Sequence, residues 1–362
     1  MTQNQNESEV SIKEQIKKFM VKGFYGFNTI ITFGLGRRLG IFDYLYEKSM
    51  PLSESKTISS ITFTPEELSE NLNLSLVHID AWVHMALECG IFEIDNQLTR
   101  SIKTAPHVFN LLVNRDHMFY IGDPMGLFYY MAPLQDFLID VFKTGKMDID
   151  LLPEEILIAG QRASSKNGEL TERVFSKKYR DFCRGIKKQG TVLTVGCGYG
   201  FNLEKWARKY KRARFVGIDI DPKGIESSKK MIKNHNWSDR VEVFEIPVND
   251  YSKKTEFKFD LIILNQVLHE MDKDEEYRKR VFEDLYAIMK DNGILLVGET
   301  MVPDTFAPKQ RPQLFEIMHK VLEAGFARFY DETSFKELIS LTPFKNAELT
   351  VESGASFWVV RK

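Results

Sequence analysis

The spacing of apolar positions along the chain has two regimes, helical up to residue 171 and alternating between helix and strand beyond it. Residues 1–11 are polar and acidic and offer almost nothing to bury, so a disordered tail is expected there. A helix follows over 12–21, then an aromatic and glycine-rich stretch over 24–46 with Ile30, Leu35, Leu39, Ile41, Phe42 and Leu45 as core positions. Thr64-Pro65-Glu66-Glu67 combines an N-cap, a proline at the first helical position and a capping-box glutamate, which starts a helix at Pro65. After Asn73, Ile79, Val83, Ala86 and Leu87 recur at helical spacing, and Gly90 stops the helix. The alternation over 91–94, a turn at Asp95-Asn96 and a return at Leu98-Thr99 predict a hairpin. Residues 106–150 read as aromatic-rich helices broken at Asp123-Pro124 and Ala132-Pro133.

From Glu172 onward, Phe175, Tyr179, Phe182, Cys183 and Ile186 share a helical face. Apolar strands are then expected over 192–195, 215–219, 241–246, 261–264 and 294–298. Helices separate most of these strands: one over 203–210, one starting at Asp221-Pro222, and one burying Val281, Phe282, Leu285, Ile288 and Met289. A further helix carries Leu314, Met318, Val321 and Leu322, and 347–351 and 356–360 pair as an antiparallel edge hairpin. Continuous apolar strands alternating with helices define an α/β fold, a doubly wound and mostly parallel seven-stranded sheet. The earlier order of helix, helix and hairpin is that of a winged helix. Three segments result: a winged-helix-like dimerisation domain over 12–105, a helical linker and substrate-pocket segment over 106–171, and a sheet domain over 172–362.

Composition narrows the function classes. With 49 basic against 51 acidic residues among 362, no strong field favours a polyanion or an anionic membrane. The second helix of the winged-helix segment carries Asp80 and Glu88 and no Lys or Arg, a poor surface for phosphates. Cys89, Cys183 and Cys197 are too scattered for a disulfide framework. The start of the chain lacks signal-peptide character, and no apolar stretch is long enough to span a bilayer. A cytoplasmic protein that binds neither nucleic acid nor membrane is expected.

The chemistry concentrates at Thr194-Val195-Gly196-Cys197-Gly198-Tyr199-Gly200, where a strand meets alternating glycines and then a helix. Glycine tolerates positive φ there and lets the backbone approach a ligand. The third glycine of a dinucleotide fingerprint would fall at Phe201, and no phosphate-binding loop of the G-x-x-x-x-G-K type occurs. Gly196, Gly198, Gly200, Asp219 and Asp250 all fall at the carboxyl ends of predicted strands, where doubly wound sheets bind ligands. This loop, with Val216-Gly217-Ile218-Asp219 and Asn249-Asp250, resembles the class I S-adenosylmethionine-dependent methyltransferases over residues 172–362. The resemblance implies that the three glycines lie against the methionyl part and ribose, that Asp219 holds the ribose and that Asp250 holds the adenine amino group. Thr194 stands where many members carry an acid and would accept from the cofactor's amino group without a charge. Asn265, at the end of the fourth strand, completes the implied cofactor set.

Beyond that strand, Asn265-Gln266-Val267-Leu268-His269-Glu270-Met271-Asp272 resembles the leucine-histidine-aspartate segment of plant-type O-methyltransferases. Their histidine is the general base, which falls here on His269, and their flanking glutamates fall on Glu299 and Glu332. Their N-terminal winged helix forms a homodimer. Glu270 and Met271 replace the family's usual Asp-Trp, which alters the acceptor side. An imidazole suits proton removal near neutrality, whereas the methyl group arrives already activated. No metal is expected, because metal-dependent methyltransferases of catechol-like acceptors place acids at the end of the fourth strand, where this chain has Asn265, with Asp260 at the start. His78, His84, His107, His117, His235 and His319 have no comparable context. The implied reaction is methyl transfer from S-adenosylmethionine to a hydroxyl of a small aromatic or polyketide-like acceptor. The alternatives are methylation of carbon or nitrogen, a relative that keeps the cofactor but runs another reaction, and a winged-helix DNA regulator with a ligand-sensing domain.

Overall fold

A computed structural model describes residues 11–50, 60–147, 151–272, 274–299, 301–302, 314–323 and 327–362. Residues 1–10 of the expected tail, and the side chains of Leu314 and Leu322, lie outside this set. The chain divides into two compact units, Met1–Pro133 and Leu134–Lys362.

The first unit opens with α1 (Ile12–Met20), held by a reciprocal capping box between Ser11 and Glu14, and passes through a π-helical turn into α2 (Gly26–Arg38) and α3 (Ile41–Ser49). Phe33, Ile41, Phe42 and Leu45 are buried, but Leu39 is exposed. Leu39 ends α2 just before Gly40 turns the chain at φ 73°, so its side chain leaves the helical face that is buried. Next come β1 (Thr62–Phe63), α4 (Pro65–Leu72), α5 (Leu76–Glu88), β2 (Phe92–Asn96) and β3 (Ser101–Thr104), with an antiparallel sheet in the order β1-β3-β2. Thr64 caps α4 by accepting from the Glu67 N–H, while the Glu67 carboxylate accepts from the Tyr44 hydroxyl at 2.9 Å and pairs with Lys48. The hairpin turn falls later than expected. Asn96 Oδ1 accepts from the Leu98 and Thr99 N–H groups, so the reversal occupies 97–100 and the return strand is β3. Two helices follow, α6 (Val108–Leu112) and α7 (Gly122–Met131). Pro124 lies in the first turn of α7, where its missing N–H costs nothing, so it begins a helix instead of breaking one. The expected break at Ala132-Pro133 is a short 3₁₀ segment.

The second unit begins with α8 (Gln135–Thr144) and the long α9 (Glu154–Lys178), which runs unbroken through residue 171, and continues with α10 (Arg180–Gln189). Strands and helices then alternate: β4 (Thr191–Val195), α11 (Phe201–Lys209), β5 (Arg214–Asp219), α12 (Pro222–Asn234), β6 (Val241–Glu245), α13 (Val248–Lys254), β7 (Phe259–Asn265), α14 (Glu275–Ile288) and β8 (Met289–Gly298). The chain closes with α15 (Leu314–Glu323), α16 (Glu332–Ser340), β9 (Asn346–Glu352) and β10 (Ala355–Arg361). These strands form a seven-stranded sheet in the order β6-β5-β4-β7-β8-β10-β9. β4 through β8 pair in parallel, and β10 and β9 add antiparallel. Ser353 and Gly354, both at positive φ, make the two-residue turn between them. Alternate residues of β4 serve two cores, Leu193 and Val195 on one face and Val192 on the other, so both faces are covered. Among the described residues, no helix is long and apolar enough to cross a membrane.

Candidate active site

The carboxyl ends of β4, β5, β7 and β8 meet on one rim. Gly196, Gly198 and Gly200 all adopt positive φ (64°, 48° and 83°), as the loop requires. A Cβ at Gly196 would lie 2.3 Å from Val267 Cγ2, and one at Gly198 would lie 2.3 Å from Gln161 Oε1 of α9. The Gly198 N–H donates to Asp219 Oδ2 at 2.6 Å, and the Asp221 N–H donates to Asp219 Oδ1 at 2.9 Å. Burial raises the pKa of Asp219, and these backbone donors oppose the shift. Each oxygen keeps a further lone pair, so the carboxylate can still accept from a hydroxyl. Thr194 Oγ1 and Asn265 Oδ1 are buried without hydrogen-bond partners, while the Asn265 amide donates to the Ser164 carbonyl at 3.0 Å. Asp250 is exposed in the first turn of α13.

The loop after β7 carries His269, which has no accessible surface. Its Nδ1 lies 2.5 Å from Oε1 of buried Glu299, directly after β8. Its Nε2 lies 3.2 Å from Glu323 Oε2 on α15, and Glu323 Oε1 lies 2.8 Å from His319 Nε2. Phe329 stacks on His269 at 5.1 Å between ring centroids, and His319 meets it edge-on at 4.7 Å. Burial opposes protonation of His269, but the charge and hydrogen bond of Glu299, joined by Glu323, override it and raise its pKa well above the usual range. Burial raises the Glu323 carboxyl, and His269 and His319 more than reverse the effect. Glu270 keeps accessible surface, yet protein atoms crowd its carboxyl and raise its pKa.

A family model described as a methyltransferase domain matches residues 193–295, the segment that holds the glycine loop, Asp219, Asp250 and His269. That segment is similar to methyltransferase domains. Erythromycin 3''-O-methyltransferase of Saccharopolyspora erythraea is 27% identical over 124 residues, covering 34% of this chain and 39% of that enzyme. Other curated relatives are covered over 29% and 54% of their length. Solved structures match over nearly the whole chain. A mitomycin 7-O-methyltransferase aligns at TM-score 0.64 and 15% identity, covering 97% of this chain and 98% of that one. Human N-acetylserotonin methyltransferase in complex with S-adenosylmethionine aligns at TM-score 0.65 and 15% identity, covering 98% and 99%. The fold is O-methyltransferase-like, and S-adenosylmethionine is the cofactor its residues suit: a loop of three glycines at positive φ, a carboxylate at the end of β5, and orphaned polar atoms at Thr194 and Asn265.

The fold brings together most of the residues expected from the sequence, but Glu332 is not among those at His269. It lies exposed at the start of α16 and pairs with Lys336 at 2.7 Å. Glu323 stands at the histidine instead, and His319, which had no context in the sequence, comes with it. A helix places residues four apart on one face, the signal that could have found this pair. Arg278 was also missed. It is fully buried on α14 and donates to the carbonyls of Leu268 (2.7 Å), Met271 (2.6 Å) and Asp272 (2.7 Å), which pins the His269 loop. Gln266, at φ 54°, turns the chain into that loop, and its N–H donates to the Gly298 carbonyl at 2.7 Å.

Proposed function

We propose that the chain transfers the methyl group of S-adenosylmethionine to a hydroxyl of a small aromatic or polyketide-like molecule, with His269 as proton acceptor and Glu299 as its orienting partner. The observation that carries this reading is the 2.5 Å contact between His269 Nδ1 and Glu299 Oε1, made by residues that leave adjacent strands on the rim of the glycine loop. When bound, S-adenosylmethionine supplies a methyl group activated by its sulfonium, so the chain's own task is alignment and proton removal. Glu299 fixes the tautomer of the neutral imidazole, whose Nε2 takes the acceptor's proton, and the raised basicity of His269 makes it the stronger base once its own Nε2 proton has left. Asp219 is suited to the ribose hydroxyls, and Ile220 beside it is 73% exposed and offers an apolar face to an adenine ring. Asp250 and Thr194 stand for the adenine and methionyl ends.

A homodimer accompanies this reading. Ile12, Ile16, Phe19 and Met20 form a row at helical spacing on α1, every one at least half exposed, and Phe24 extends it. A cytoplasmic location agrees with three unpaired cysteines.

The test offers labelled S-adenosylmethionine with a panel of phenols and polyketides and follows label into product. The wild-type chain methylates an acceptor on oxygen, and His269→Ala lowers turnover by about 10²–10⁴-fold. Full activity in that variant would remove the base assignment, and label arriving on nitrogen or carbon would move the reading to another acceptor class.

A further inference from the structure

We propose that His269, His319 and Glu323 form a binding site for one divalent transition-metal ion of the iron, cobalt and zinc class. The inference rests on the methyl-transfer reading: an ion held at Nε2 occupies the atom that takes the acceptor's proton, so the loaded protein is the form in which His269 cannot act as base.

Three observations carry it. First, the potential ligand atoms of these residues lie within 4.8 Å of one another, on two imidazoles and one carboxylate. Second, His269 Nε2 and Glu323 Oε2 face each other at 3.2 Å as an ion pair that lacks hydrogen-bond geometry, although His269 is completely buried. Bonds of about 2.0–2.1 Å to a tetrahedral or octahedral ion hold neighbouring ligand atoms roughly 3.0–3.4 Å apart, which matches this contact. His319 completes the set, with its Nε2 2.8 Å from Glu323 Oε1. Third, the 2.5 Å contact of Nδ1 with Glu299 is the arrangement that fixes a metal-binding histidine, with Nδ1–H donating to the carboxylate and the Nε2 lone pair aimed at the ion.

The surroundings fit. His319 and Glu323 are four apart on α15 and so project from one face of a helix. Phe329, with Val302 and Ala327, forms a dry wall behind the imidazoles. Two histidines with one carboxylate suit first-row transition ions and leave coordination positions open, whereas calcium and magnesium want oxygen ligands. Asn265 leaves the end of β7 without an acid, and these three ligands come instead from the loop after β7 and from α15.

The test uses the full chain without a histidine tag, stripped with a chelator and titrated with Co²⁺ followed by visible absorption, and with Zn²⁺ followed by calorimetry. The wild-type protein takes up about one ion per chain, and His319→Ala and Glu323→Gln each weaken binding by at least about tenfold. Absence of stoichiometric uptake in the wild type, or uptake that neither variant changes, overturns the site. Binding of S-adenosylmethionine is measured on the same samples. A chain that binds it but takes up no ion loses only this inference, whereas a chain that takes up the ion but not S-adenosylmethionine loses the methyl-transfer reading.

Discussion

Gly196 shows how much one residue carries. It sits at φ 64°, and a Cβ there would press on Val267, the residue two before His269. Gly196→Ala should cost about 1–2 kcal/mol of backbone strain, lowering Tm by roughly 2–8 °C in a thermal scan, and should weaken S-adenosylmethionine binding. Arg278 is the complementary case. Arg278→Met leaves three loop carbonyls without donors and should cost about 2–4 kcal/mol by denaturant titration. Turnover should fall more than S-adenosylmethionine affinity, because the pinned loop carries His269 and not the glycines. The glycine loop was legible because positive φ and close approach demand glycine at fixed spacing. Arg278 was not, because an arginine on a helix reads as a solvated charge until the fold buries it among carbonyls.

At the scale of elements, α7 is tied to α2 by Asp123, which accepts from Arg37 at 2.8 Å and from the Tyr120 hydroxyl at 3.0 Å. Burial alone would raise the Asp123 carboxyl, but Arg37, Arg115 and Tyr120 outweigh it and the pKa is lowered. A depressed folded-state pKa means that the ionised form stabilises above the unfolded value near about 3.9, and that this contribution is lost as pH falls through the folded value. Asp123→Asn should therefore cost about 1–3 kcal/mol at neutral pH, and urea titrations across pH should show the gap to wild type closing below about pH 4. Most strands of the sheet were legible to within two residues, since their continuous apolar runs leave one reading, but β8 begins five residues before its expected start because residues 289–293 are not a continuous apolar run. The Asp95-Asn96 turn was not, because Asn96 makes its turn with the two N–H groups that follow Gln97, a side-chain choice that alternation does not encode. Glu332 was expected beside His269 and Glu323 was not named, because only packing selects the glutamate that meets the histidine.

For the molecule as a whole, the exposed apolar row on α1 argues for a second copy of the chain. Phe19→Glu with Phe24→Glu should turn a dimer into a monomer by light scattering while circular dichroism stays unchanged, and a wild-type protein already monomeric at micromolar concentration would remove the dimer. The central claim is that the rim of the parallel sheet binds S-adenosylmethionine through the glycine loop and Asp219, and calorimetric titration of the full chain tests it most directly. The account expects saturable binding at one site per chain, with Asp219→Ala weakening it by at least about tenfold, the loss of one charge-assisted contact. A folded chain that gives no binding heat with S-adenosylmethionine or S-adenosylhomocysteine, or whose affinity is unchanged by Asp219→Ala, would contradict it.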